Sequence, residues 1–121
     1  MPESRLDKAE RSFSCAEDIL DKGHADFAVS RAYYGSFYVA EALLGSVGLQ
    51  FRRHGAVLSH VATEFVRTGL IERRFHAHLI NGFQLRQDAD YRLDAVPRPE
   101  TVAALIVEGR AFLAAARSVL L

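Results

Sequence analysis

Apolar residues recur every three or four positions along most of this chain, the period of one helix face. Leu6, Ala9, Phe13, Ala16 and Leu20 keep that spacing, with charged residues between them. They predict an amphipathic surface helix from Ser4 to Lys22. Ser4 suits its N-cap, with Asp7 three residues on, an approximate capping box, and Gly23 suits its stop. The stretch from Phe27 to Val47 has a different pattern, with three distinct sides. Val29, Tyr33, Phe37, Ala40, Leu44 and Val47 form an apolar stripe. Ala28, Ala32, Gly35, Val39 and Ala42 form a side of mostly small residues, which lets another backbone approach closely. Phe27, Arg31, Tyr34, Tyr38 and Glu41 form a third side that mixes aromatic rings with charge. A helix that is apolar or small nearly all round is a buried helix. The polar groups of the third side then need partners, either in a core network or on a ligand.

The pattern continues to the C-terminus. Leu49 to Gly55 is polar and basic and predicts a loop that includes His54. Ala56 to Thr68 predicts a third helix with Val57, Leu58, Val61, Phe65 and Val66 inward and Gly69 as its stop. Glu72 to about Arg92 predicts a fourth, with Phe75, Leu79, Phe83 and Leu85 apolar. Pro97 and Pro99 break the chain, and Pro99-Glu100 suits a helix start. Val102, Leu105, Gly109, Phe112, Ala116 and Val119 form the stripe of a final helix. There is no strand alternation and no internal repeat. The fold class is all-α: an up-and-down antiparallel bundle of four long helices and one shorter one, in a single domain over residues 1–121.

Composition narrows the function classes. The formal net charge is zero over 121 residues, so no overall basic field argues for nucleic acid, although Arg52-Arg53-His54 and Arg73-Arg74 can form local patches. Cys15 is the single cysteine, off the apolar stripe, and is read as a packing residue. A lone thiol suits a reducing compartment. No apolar run reaches the length of a membrane span, and the charged N-terminus lacks a signal-peptide pattern. The expectation is a cytoplasmic protein. His60 and Glu64 lie one turn apart but lack further ligands nearby in sequence, and His76 and His78 point to different faces. No metal site and no cofactor are called for. Nucleophile triads, phosphate-cradling glycine loops and paired-cysteine zinc patterns are absent.

The segments SRAYYGSFYVAEALL, GLQFRRHGAVLSHVATEFVRTG and LRQDADY, in that order, resemble the HEPN domains (higher eukaryotes and prokaryotes nucleotide-binding). The subgroup is that of small stand-alone prokaryotic members. The resemblance implies a helical bundle, usually a homodimer. It also implies a minimal nucleotidyltransferase as partner, often in a toxin–antitoxin pair. Many members are metal-independent ribonucleases, with an arginine followed after four to six residues by a histidine. Arg86 matches that arginine, but Gln87 to Arg92 contain no histidine. Candidate catalytic residues are therefore Arg86, Asp90 as a proton acceptor, and His54 as a substitute from elsewhere in the chain. Candidate ligand-binding residues are Arg31, Tyr34, Arg86 and Tyr91, the arginines because their planar fork suits phosphate. The same residues also fit a structural reading: an Arg86–Asp90 pair one turn apart, with Glu41 and Tyr34 as further partners of Arg86. The expected function is nucleotide or RNA phosphate binding with a degenerate nuclease motif. The alternatives are a ribonuclease toxin and a non-catalytic dimeric scaffold.

Overall fold

The computed structural model describes residues 3–94 and 96–120. Five helices follow in order: α1 Arg5–Asp21, α2 Ala25–Ser46, α3 His54–Val61, α4 Arg73–Tyr91 and α5 Pro99–Leu120. Among the described residues there is no strand. The predicted caps form. Ser4 Oγ accepts from the Asp7 amide at 3.1 Å. Gly23 and Gly69 have φ of +89° and +82°, the left-handed conformation in which glycine costs least. Two boundaries differ from the periodicity. α3 begins at His54 rather than Ala56, so His54 opens a helix instead of closing a loop. Ala62–Val66 continues α3 as a π-turn, with the Arg67 amide donating to the Ala62 carbonyl at 2.9 Å. Apolar spacing does not distinguish a π-turn from an α-turn over so short a stretch.

α2 packs against α1, α3, α4 and α5, which is why it reads as apolar or small on so much of its surface. Its small side meets α1 and α5. The Phe13 ring of α1 is fully buried between Gly35 of α2 and Gly109 of α5. A Cβ at Gly35 would stand 2.6 Å from Phe13 Cε1, and a Cβ at Gly109 would come closer still. The glycines are there because the ring occupies the space of their missing side chains. The core continues through Tyr33, Leu43, Leu44, Leu79 and Phe112, all nearly inaccessible. Phe75 stacks on Phe112 with centroids 5.3 Å apart. Exposed ion pairs, Arg110–Glu17 at 2.6 Å and Arg117–Glu10 at 2.9 Å, run along the α1–α5 seam.

Three expectations about faces need correction. Val47 ends the apolar stripe exposed, because α2 stops at Ser46. Cys15 is exposed rather than packed, at the rim of a small hollow that α1 shares with Arg31 and Tyr38 of α2. The third side of α2 is not buried: Phe27 is exposed, and Arg31, Tyr34, Tyr38 and Glu41 are half-buried. The small side of α2 and the α5 stripe pack largely within the chain. Among the large apolar residues left exposed are Phe27, Tyr91, Leu93 and Val96.

Candidate functional site

α4 runs antiparallel to α2, as the contacts Ser36–His78 and Tyr34–Arg86 require. That register brings the C-terminal half of α4 against the first half of α2. The start of α3 closes the third wall. Tyr33 and Tyr34 from α2, His54 from α3, and Phe83 and Arg86 from α4 form one cluster. His54 is the residue that sequence spacing could not place. Its ring stacks on Phe37 at 4.2 Å and lies edge-on to Tyr34 at 5.7 Å. Its Nδ1 is 2.8 Å from the Tyr33 hydroxyl. Burial, and secondarily the charge of Arg86, push the His54 pKa down, so the ring is held neutral. Burial pushes the Tyr33 phenol up and keeps it protonated. Either Tyr33 donates to Nδ1 or Nδ1–H donates to the tyrosine oxygen. In both cases Nδ1 is occupied, and Nε2 is the nitrogen left for chemistry.

Arg86 is held without being saturated. Its guanidinium lies 5.1 Å from the centre of the Tyr34 ring. Its Nε is 3.4 Å from Asp90 Oδ2, the ion pair expected one turn apart. That pair is too poorly aligned to be a hydrogen bond: Arg86 Nε is buried with no hydrogen-bond partner among the described residues. The carboxylate attracts the charge without meeting the donor. Arg31 also stands over Tyr34, at 5.1 Å. The expected partnership with Tyr34 therefore forms, but the one with Glu41 does not. Glu41 faces Arg5 instead, at 3.8 Å, in a separate cleft at the far end of α2. Burial raises the Glu41 pKa, against the opposing charges of Arg5 and Lys8.

The remaining candidates divide. Tyr91 ends α4 with 78% of its surface exposed. Arg52 and Arg53 are exposed immediately before His54. His60 is not joined to Glu64: its Nδ1–H donates to the Ala56 carbonyl at 2.8 Å and its ring stacks on Phe51. Among the described residues no group of three His, Cys, Asp or Glu side chains could hold a metal ion. No helix there is long and apolar enough to cross a membrane. Sequence reasoning missed two contacts. Tyr33 was placed on the apolar stripe, yet its hydroxyl positions His54. Ser36 was assigned to no side, yet its hydroxyl is 2.7 Å from His78 Nε2 in the core. The signal for the second was a serine inside a buried helix, which needs a polar partner.

The model of the HEPN domain matches residues 2–119. The chain belongs to the HEPN family. Relatives agree. "Putative toxin MJ0142" of Methanocaldococcus jannaschii is 32% identical over 111 residues, 92% of this chain and 76% of that protein. "Putative toxin MJ0605" of the same organism is 32% identical over 108 residues, 89% of this chain and 80% of that protein. The "UPF0332 protein" of Thermotoga maritima is 34% identical over 84 residues, 67% of this chain and 64% of that protein. Arg86 has no histidine after it in sequence. In space, the ring of His54 and the guanidinium of Arg86 both lie against Tyr34.

Proposed function

We propose that this HEPN chain is the toxin-type member of a toxin–antitoxin module and binds RNA through its phosphate backbone, or a nucleotide, at Arg86. The observation that carries the reading is the partly exposed Arg86 guanidinium, steadied on the Tyr34 ring and only loosely paired with Asp90 through Nε, which leaves its terminal nitrogens to meet a phosphate. An arginine meant only to tie helices together would have its donors met by a carboxylate. Arg31, on the same ring, supplies a second cation, and exposed Arg52 and Arg53 extend the positive surface past His54. A minimal nucleotidyltransferase as antitoxin and a pairing of two copies complete the proposal. Phe27 and Tyr91, brought to the same end by the antiparallel register, are the exposed apolar residues that support pairing.

A metal-independent ribonuclease is the second reading, and the position of His54 favours it. In-line cleavage needs a base to take the 2′-hydroxyl proton and a cation to stabilise the pentacovalent phosphorus while the 5′-oxygen leaves with a proton. In the tautomer whose Nδ1–H donates to Tyr33, His54 Nε2 is unprotonated and suits the first task, Arg86 suits the second, and water supplies the proton of the leaving 5′-oxygen. The test measures RNA binding by the wild type, Arg86→Ala and Arg86→Lys alongside their melting temperatures. Arg86→Ala should abolish binding, and Arg86→Lys should give an intermediate loss, because lysine keeps the charge but not the fork. Melting should change by less than about 1 kcal/mol, since the Asp90 pair is partly exposed. Full binding by the alanine variant ends the proposal. RNA cleavage that vanishes in His54→Ala while binding persists selects the nuclease.

A further inference from the structure

On the other flank of α3, away from Arg86, the helix and its π-turn leave an open groove against α4. Two adjoining hollows share Ala62, Thr63 and His76 and run the length of the groove. The upper one, of about 450 Å³, is walled by Leu58 and Ala62 on one side and by Ile80 and Phe83 on the other. Ile80 is a helix-interior isoleucine with 49% of its surface exposed among the described residues. The lower hollow, of about 340 Å³, ends on Arg67 and Arg73. Neither arginine has an ion-pair partner among the described residues, in contrast to Arg74, which meets both Glu72 and Glu108. The groove is thus apolar along its floor and positive at one end. A polynucleotide would leave the apolar floor unmatched, and a purely apolar partner would leave the two cations unmatched.

We propose that this groove docks an amphipathic helix of a partner protein, with aliphatic side chains on one face and carboxylates at the end that reaches Arg67 and Arg73. Helix-in-groove recognition uses anchors spaced three, four and seven residues apart. The wall from Gly55 to Val66 is matched by a partner helix of roughly 12 residues at about 1.5 Å per residue. The apolar anchors bind at Ile80 and Phe83, and the charges set the direction of docking.

The probes are two synthetic helical peptides of that length, identical in their leucine-lined face. One ends in two glutamates and the other in two lysines. Binding is read by fluorescence anisotropy, and its location by backbone amide shifts of the full-length protein. The glutamate peptide should bind, shift amides of α3 and α4, and lose at least tenfold in affinity with Ile80→Asp. The double variant Arg67→Glu/Arg73→Glu should prefer the lysine peptide, a reversal that a merely unfolded variant cannot produce. Equal binding of both peptides by the wild type, no binding of either, or binding insensitive to Ile80→Asp overturns the proposal. So does concentration-dependent shifting of the same amides without peptide, which would make a second copy the occupant.

Discussion

The two flanks of α2 are built on opposite terms. Toward α1 and α5 it presents Ala28, Ala32 and Gly35, all buried, and receives the Phe13 ring where side chains are missing. On that seam Ser12 Oγ donates to the Arg31 carbonyl at 2.7 Å, and the Arg110–Glu17 pair lies exposed at its edge. Toward α3 and α4 it presents Tyr33, Tyr34 and Ser36, and meets histidine and arginine there. The Phe13 ring fills the first flank where the two glycines lack side chains. The second contains a half-buried imidazole with one nitrogen to spare and a guanidinium with an unmet donor. A single helix therefore fixes the fold with one side and, with the other, holds a histidine and an arginine whose hydrogen-bonding capacity is only partly used.

The contrast is broken most severely at Phe13. Phe13→Ala empties the slot between two glycines that have no side chain to fill it, and should cost about 3–5 kcal/mol in chemical denaturation. A loss under about 1 kcal/mol would mean that the helices close over the gap. Acid should attack the other flank. Burial holds the His78 pKa at about 4, against 6.5 for an ordinary histidine. Below pH 6.5 the unfolded chain binds a proton that the folded chain refuses, so stability should fall as pH drops from 6.5 to 4 and level off beneath. The total is about 3 kcal/mol from His78, with His54 acting in the same direction. Above pH 6.5 this contribution is flat. Denaturation curves for wild type and His78→Gln across that window check it, since the variant should lose most of the slope. Gly35→Leu overfills the first flank and should cost on the order of 1–3 kcal/mol. Unchanged melting would place Gly35 beside open space. The smallest effect belongs to Tyr33→Phe, which removes the bond to His54 at a cost of about 1 kcal/mol. Its sharper readout is the His54 resonance in a pH titration, which should broaden or shift as the ring loses its fixed tautomer, while the core signals of Phe13 stay in place.

Most of the first flank was legible in the sequence. Small residues at helical spacing announce close contact, and Gly35 and Gly109 were both at stripe positions. Ser4, Gly23 and Gly69 mark helix ends by local chemistry alone, so no tertiary knowledge is needed to find them. The second flank was legible only in part. Arg86 and Asp90 sit one turn apart on one helix, and their pairing follows from periodicity. His54 depends on how α3 folds back across α2, a long-range choice that spacing within α3 does not encode. Tyr33 illustrates the same limit: its position on the apolar stripe is right for the ring and silent about the hydroxyl. The π-turn at Ala62–Val66 adds a residue to one turn without any mark in the apolar pattern.

The Phe13 slot also orders events during synthesis. One wall, Gly35, emerges from the ribosome soon after the ring, but the other, Gly109, lies far downstream of both. The ion pairs beside it close loops of the same kind, joining residues 93 and 107 positions apart. α1 and α2 can therefore meet early as a hairpin, yet the aromatic ring between them stays open on one side until α5 is released. The ring waits for α5, and that helix acts as the latch.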